Sequence, residues 1–242
     1  LAWRDIRVRY KQTMLGAGWA ILQPFLTMVV FSVLFGKLAR LPSEGLPYPI
    51  FAYAGLLPWT FFQSVVTACS NSLVDSAGLI TKVYFPRVIL PAATVLAGLV
   101  DLGIASTIMF AMMAFYGIYP GIGIALLPIL VVLLVTTALA TGLWLSALNL
   151  KYRDVRHAVP FMMQIWLFLT PVIFPVTLLP ARWRWALALN PLSGTVEGFR
   201  ASLLGGRIPR QALGISATIA FAALLYTSRR FVRLERDFAD IV

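Results

Sequence analysis

Side chains that could do acid–base, nucleophilic or metal chemistry are scarce in this sequence. Its 242 residues include one His, one Cys and nine Asp or Glu. No pair of carboxylates at helical spacing occurs inside an apolar run, and no Gly-x-x-x-x-Gly-Lys-Ser/Thr motif is present, which excludes nucleotide binding by a P-loop. Because a membrane-embedded transferase or protease normally needs a cluster of such groups, we predict no catalytic residue and no metal site.

Two isolated titratable residues leave alternatives open. Asp101 lies deep inside an apolar run, where exposure to lipid would cost about 2.5–3.5 kcal/mol, so it should face protein or water. A structural hydrogen bond to Ser106, Thr107 or a neighbouring helix is favoured over a proton or ion site, since no second ionisable group inside a span accompanies Asp101. His157 is favoured as a solvated loop residue over a pH switch.

Residues 71–87 form a polar island between two long apolar runs. The island carries Asp75, Lys82 and Arg87, and it is much longer than a turn requires. Apolar residues recur within it at positions that suit a short amphipathic helix at a membrane surface or against a partner: Leu73, Val74, Leu79, Ile80 and Val83.

The composition around these residues predicts an all-α polytopic membrane protein. The chain is 60% hydrophobic and only 12% charged, with a mean hydropathy of +0.86, whereas a soluble domain is typically about 25% charged. Its apolar runs are continuous and reach bilayer length. We predict one domain over residues 1–242, with six spans at 19–38, 48–69, 88–116, 122–150, 158–174 and 212–227.

Two further segments fit the membrane interface. The pattern of residues 1–15 predicts a basic amphipathic helix with Trp and Tyr anchors at the membrane interface. This interpretation is favoured over a charge cluster whose only role is to set the topology. Residues 176–211 are divided by Pro and Gly into pieces too short to span. We predict that these pieces form a re-entrant hairpin of two short helices bordering a pathway.

The basic residues predict the orientation. The net charge is +11, and the basic residues lie at the ends of apolar runs, so topology and anionic lipid explain the charge without nucleic acid. With both termini in the cytoplasm, 13 of the 20 Lys and Arg residues lie inside. Five of the other seven lie within 176–211, where snorkelling to headgroups is favoured over contact with an anionic substrate.

Aromatic residues are numerous in and beside the predicted spans. Most such rings belong to packing or to interfacial belts. Sugar rings also stack on aromatic faces, so an aromatic-lined channel for a polymer stays open as an alternative.

Several strings, taken in order, resemble the permease subunits of ABC-2-type polysaccharide exporters, which move O-antigen, capsular polysaccharide or teichoic acid. The resemblance covers essentially the whole chain. Its strings are RDIRVRYKQTMLGAGWAILQP (4–24), KVYFPR (82–87), LNLKYRDVRH (148–157), TPVIFP (170–175), NP (190–191) and ERDFADIV (235–242).

The resemblance implies a homodimer of six-span subunits in the bacterial inner membrane, paired with two copies of a separate ATPase that holds ATP and magnesium. The substrate would be a lipid-linked polysaccharide. Residues 1–15 would form an interface helix, 71–87 a coupling loop against the ATPase, and 176–211 a periplasmic gate. The chain begins at Leu1, so an upstream segment is expected.

The same resemblance nominates site residues. Coupling to the ATPase is expected at Asp75, Lys82, Tyr84, Phe85, Pro86 and Arg87. Channel aromatics are expected at Phe25, Trp166 and Phe168, and gate residues at Trp183, Trp185 and Arg200. Cationic partners for the lipid phosphate are expected at Arg4, Arg7, Arg9 and Lys11, although topology and anionic lipid explain these four at least as well.

Three alternatives remain open at this level. An ABC-2 exporter of a drug or lipid is the nearest. A secondary transporter ranks lower, because it would require repeated broken helices and midplane ion ligands. A membrane enzyme acting on lipid-linked sugars would depend on Asp101 and need no partner.

Overall fold

The computed structural model describes residues 18–76, 78, 85–152 and 154–237, with the side chains of all of these except 181 and 234–237. These residues form helices and connections, with no strand among them. The α-helices are α1 Gly18–Phe31, α2 Tyr48–Asp75, α3 Ile89–Phe115, α4 Leu127–Lys151, α5 Val155–Leu169, α6 Ala181–Ala188, α7 Pro191–Leu204 and α8 Arg210–Asp237. A π-helical segment, Ser32–Leu38, continues α1, and short 3₁₀ turns at Ile122–Leu126 and Val176–Leu178 precede α4 and α6.

Helix α2 is the centre of the bundle. It packs against α1, α3, α4, α5 and α7, and its large aromatic side chains Phe51, Tyr53, Trp59 and Phe62 are fully buried. In its first half, from Tyr48 to Trp59, nearly every residue is buried and most are apolar, as expected of a helix enclosed by others rather than by lipid.

Glycines allow close approach to α2. A methyl group added at Gly142 of α4 would lie 2.6 Å from Cβ of Cys69, and one at Gly98 of α3 would overlap Val65. Small residues at such crossings let two backbones come together, because lipid itself supplies no hydrophobic drive for helices to associate.

The short helix α7 is enclosed by protein. Its residues from Leu192 to Val196 and from Gly198 to Leu203 are buried. Its limits follow from the sequence: Asn190 caps it, Pro191 occupies its first position, and Gly205 ends it at a φ of 80°, a conformation that glycine adopts without strain.

The prediction of an all-helical membrane protein is confirmed. Five helical segments in the described part of the chain are long and apolar enough to cross a bilayer: Gly18–Leu38, Tyr48–Asp75, Ile89–Phe115, Ile122–Lys151 and Arg210–Arg233. The region of the predicted fifth span holds the shorter apolar helix α5 of 15 residues, which ends before Pro171, since the position preceding a proline disfavours helix.

Two other boundaries differ from the sequence prediction. Helix α2 continues through Asn71 to Asp75, so the first five residues of the predicted island are membrane-helix residues. Helix α8 runs ten residues beyond the predicted end at 227. Its extension has a packing reason, because Phe231 is buried in a small core with Leu73, Leu90 and Leu143.

Candidate gate and coupling sites

At the end of the bundle where α2 begins, Arg200 is enclosed among backbone carbonyls and an aromatic ring. Its Nη2 donates hydrogen bonds of 3.0 Å to the carbonyl oxygens of Pro171 and Val172. Its guanidinium carbon lies 3.8 Å from the ring centre of Phe51, and only 6% of the residue is exposed. We call Tyr48, Phe51, Gly55, Pro171, Val172, Glu197 and Arg200 the Arg200 cluster.

The cluster depends on a glycine that sequence reasoning did not single out. A methyl group at Gly55 would lie 2.7 Å from Nη2 of Arg200 and 2.9 Å from the Val172 carbonyl oxygen. The Tyr48 hydroxyl donates a 2.8 Å hydrogen bond to the carbonyl of Ile173. The chain after α5 therefore runs directly over α2, tied there by Tyr48 and by Arg200 from α7.

Burial dominates the electrostatics of the cluster, and Glu197 and Arg200 influence each other through their charges. Burial raises the pKa of Glu197, and the nearby Arg200 guanidinium opposes this shift. Burial lowers the pKa of Arg200 to about 10, with Glu197 and Glu44 acting in the opposite direction. Arg200 therefore stays charged at neutral pH, and its charge is compensated by carbonyl dipoles, a ring face and Glu197.

The structure corrects one expectation for Arg200. It does not snorkel to an interface; it lies inside the protein. The other gate candidates, Trp183 and Trp185, lie on α6 and are 54% and 64% exposed, so the three nominated residues do not form one site. Arg184, on the same helix, donates to the carbonyls of Leu179 and Thr177.

Asn190 joins the end of α5 to the start of α7, a role that sequence reasoning missed. Its side-chain oxygen accepts from the Leu192 backbone and from the Trp166 indole, both at 3.1 Å. Its amide nitrogen donates to the Leu169 carbonyl and to the Thr170 hydroxyl. Asn followed by Pro is a recognisable helix start, but its long-range partners leave no mark in the sequence.

Replacing Asn190 by Ala should lower the free energy of unfolding by about 2 kcal/mol, since a cap and three further hydrogen bonds are lost. Asn190→Asp keeps both acceptor contacts and should lose less. Thermal unfolding can be followed with a thiol-reactive dye, because the only cysteine, Cys69, is buried. Equal melting temperatures for wild type and Asn190→Ala would contradict the bridging role.

At the opposite end of α2, Asp75 meets the start of α5. Its carboxylate lies 3.6 Å from Arg156, and both side chains are more than half exposed, so the pair contributes little stability. Phe85 is partly buried against the small core around Phe231, whereas Pro86 is exposed. Phe85 therefore packs on the bundle, and only part of its ring is left to contact a partner protein.

Several nominated residues lie outside the described part of the chain. These are the coupling residues Lys82 and Tyr84 and the phosphate-binding candidates Arg4, Arg7, Arg9 and Lys11. Within the described part, no group of His, Cys, Asp and Glu is placed to hold a metal ion.

The sequence profile of the family described as "ABC-2 type transporter" matches residues 1–204. The chain belongs to this family. It is 31% identical over 247 aligned residues to a protein named O-antigen export system permease protein RfbA from Myxococcus xanthus, covering 100% of this chain and 94% of that protein.

Two further relatives of this ABC-2 chain have similar names. An O-antigen export system permease protein RfbA from Klebsiella pneumoniae is 25% identical, with 99% of this chain and 92% of the relative covered. The polysialic acid transport protein KpsM from Escherichia coli is 25% identical, with 85% and 80% covered. The resemblance drawn from the sequence strings is confirmed.

The ABC-2 channel candidates occupy different environments. Phe25 on α1 and Phe168 on α5 are 39% and 54% exposed. Trp166 is partly buried, with its ring edge-on to Phe62 at 5.2 Å between centroids and its indole bound to Asn190. Trp166 therefore supports the corner after α5, while Phe25 and Phe168 remain available to a path or a second subunit.

Proposed function

We propose that the chain is the channel-forming permease of an ATP-driven exporter of lipid-linked polysaccharide. The observation that carries the proposal is similarity over the full chain to O-antigen export permeases. The permease works as a homodimer with two copies of a separate ATPase, which binds the ATP and magnesium. Both termini lie in the cytoplasm of a bacterium, and the chain itself performs no catalysis.

The surfaces of α1 and α5 support a channel between two copies. Only Pro24 and Met28 of α1 are buried, and only Val159 and Met163 of α5. These two helices bear the aromatic candidates Phe25 and Phe168. A second subunit facing them would create an aromatic-lined path of the kind on which sugar rings slide without binding a fixed charge.

The coupling step starts at the cytoplasmic end of α2. Closure of the ATPases on ATP pushes the segment 71–87, with Asp75, Lys82, Tyr84, Pro86 and Arg87 as contacts. Phe85 transmits the push because it packs on the core shared by α2, α3, α4 and α8. The spans then shift as one block, and the path opens beneath the Arg200 cluster. The exposed Trp183 and Trp185 lie at the rim of the path.

The lipid phosphate enters near the N-terminal segment, where Arg4, Arg7, Arg9 and Lys11 supply cationic partners. Arginine forms bidentate hydrogen bonds with phosphate oxygens, which favours it for this task. Export of a drug or lipid by the same fold is the second candidate, and the names of the relatives do not favour it.

The coupling role predicts a clear effect of replacing Tyr84-Phe85-Pro86 by three alanines. Because force enters there, polymer at the surface of a permease-deletion strain should fall by about tenfold or more when this variant is supplied. A matched control replaces Phe115, Tyr119 and Pro120 by alanines. These exposed residues lie at and just beyond the other end of α3, and this variant should preserve export. Unchanged ATPase co-purification and unchanged export for the first variant would show that coupling lies elsewhere.

A further inference from the structure

A groove of about 1070 Å³ runs between α1, α2 and α3. It follows α2 from Thr60 to Asp75, a rise of roughly 22 Å at 1.5 Å per residue. Its volume is slightly above the range typical of ligand pockets, about 300–1,000 Å³. From α1, Trp19, Ala20, Gln23 and Pro24 line the groove, whereas the channel candidates Phe25 and Phe168 are not among its described lining residues.

The wall contributed by α2 is polar at helical spacing. Thr60, Gln63, Ser64, Thr67 and Asn71 recur every three or four residues, so they form one continuous stripe. A polar stripe of this length within a bilayer-spanning helix is better placed toward water or a polar ligand than toward lipid, since lipid would leave its remaining donors and acceptors without partners.

The stripe keeps hydrogen-bonding capacity for a ligand. The Thr60 and Ser64 hydroxyls donate to carbonyls one turn back, which leaves their oxygens as acceptors. The Gln63 side-chain oxygen accepts from the Trp59 indole, which orients an amide group with two donor hydrogens of its own. Closely spaced donors and acceptors without net charge match the hydroxyl groups of a saccharide.

The charged side chains among the described lining residues of the groove are acidic. Asp75 and Asp101 contribute carboxylates, and no Lys or Arg occurs among the described lining residues. Asp75 already faces Arg156. Trp19, 52% exposed, adds one aromatic face at the groove wall, as stacking of a sugar ring requires.

We infer that this groove binds a neutral, hydroxyl-rich saccharide segment, at a site distinct from the α1–α5 channel. The inference rests on the proposed function, because a polymer exporter gives such a groove its ligand. The groove would hold part of the polysaccharide beside the channel. The hydroxyl and amide groups of the groove would then replace the water that the polysaccharide loses on entering the membrane.

The test uses a cysteine in the groove of the full chain in lipid nanodiscs. Ser64→Cys is labelled with a charged, water-soluble thiol reagent. Thr107→Cys is the matched control. The Thr107 hydroxyl also donates to a carbonyl three residues back, but the residue lies on the outside of the bilayer-spanning helix α3, where we expect lipid rather than water to cover it. Wild type serves as the blank, since Cys69 is buried.

Ser64→Cys should react about tenfold faster than Thr107→Cys, because thiol reactivity follows access to water. A mixture of short linear gluco-, manno- and galacto-oligosaccharides should slow its labelling several-fold, whereas inorganic pyrophosphate and spermidine should not. Adding Gln63→Leu should weaken the saccharide protection by about tenfold, the cost of one lost hydrogen-bonding group in a binding site.

Labelling no faster than at Thr107→Cys would overturn the inference, because protein or lipid would then fill the groove. Labelling that is fast but insensitive to every saccharide, or sensitive only to pyrophosphate or spermidine, would overturn it as well. The labelling experiments use purified protein, whereas export is measured in the deletion strain. The groove inference can therefore fail while export of polysaccharide is confirmed, and export can fail while the groove still binds saccharide.

Discussion

Replacing Arg200 by Ala should lower the free energy of unfolding by about 3 kcal/mol, because two buried carbonyls lose a charged donor and Glu197 loses its compensating charge. For a chain of this size that corresponds to a fall of about 10 °C in melting temperature. Labelling of the buried Cys69 by a thiol-reactive dye during heating provides the measurement. Export should fall together with the melting temperature, since Tyr48 alone of the two ties then holds the chain after α5 on α2.

Two further variants separate the chemistry of Arg200 from its charge. Arg200→Lys keeps the charge but loses the flat guanidinium that stacks on Phe51 and reaches both carbonyls, so it should remain well below wild type. Arg182→Ala removes an exposed arginine from α6 and should change the free energy of unfolding by less than about 0.5 kcal/mol. If Arg200→Ala and Arg182→Ala melted alike, the cluster would not secure the bundle.

Replacing Gly194 by Ala should cost about 2–3 kcal/mol, although it adds only one methyl group. That methyl would lie 2.5 Å from the carbonyl oxygen of Ala212 and 2.6 Å from Oγ of Ser216. The first is backbone and cannot rotate aside, so α7 and α8 must separate. The 3.2 Å hydrogen bond from the Gly194 backbone to Ser216 would be lost as well.

Gly214→Ala on the neighbouring helix is the matched control. A methyl group there meets nothing within 4 Å, and alanine is a better helix former than glycine by about 1 kcal/mol. We therefore expect Gly214→Ala to match wild type or exceed it in melting temperature while Gly194→Ala melts well below both. Equal melting of the two variants would mean that α7 tolerates displacement from α8.

The sequence alone determined the class of this protein and most of its helices. Continuous apolar runs have no stable alternative to helices in a membrane, so the starts of α2 and α3 could be located within a residue. The division of residues 176–211 by Pro and Gly was also predictable, and the limits of α7 agree with the local backbone preferences of Asn190, Pro191 and Gly205. The family followed from strings spread over the whole chain.

Boundaries that depend on packing were less predictable. The polarity of residues 71–75 indicated that the span ends at 69 and that a separate surface helix follows. Instead α2 continues through them, where Asn149 donates to the Ser70 carbonyl and the Asn71 side chain. The charged end of α8 stays helical where Phe231 is buried. In both places a tertiary contact outweighs a local preference.

The candidate sites depended on tertiary structure more strongly still. An arginine in a short broken segment is indistinguishable by sequence from one that reaches headgroups, and only the folded chain shows Arg200 among carbonyls that Gly55 leaves room for. The polar stripe of α2 is readable in the sequence, but whether it faces lipid, protein or an open groove is set by α1 and α3. Local propensity and hydropathy determine helices, whereas the environment of a polar group is determined by which other helices pack around it.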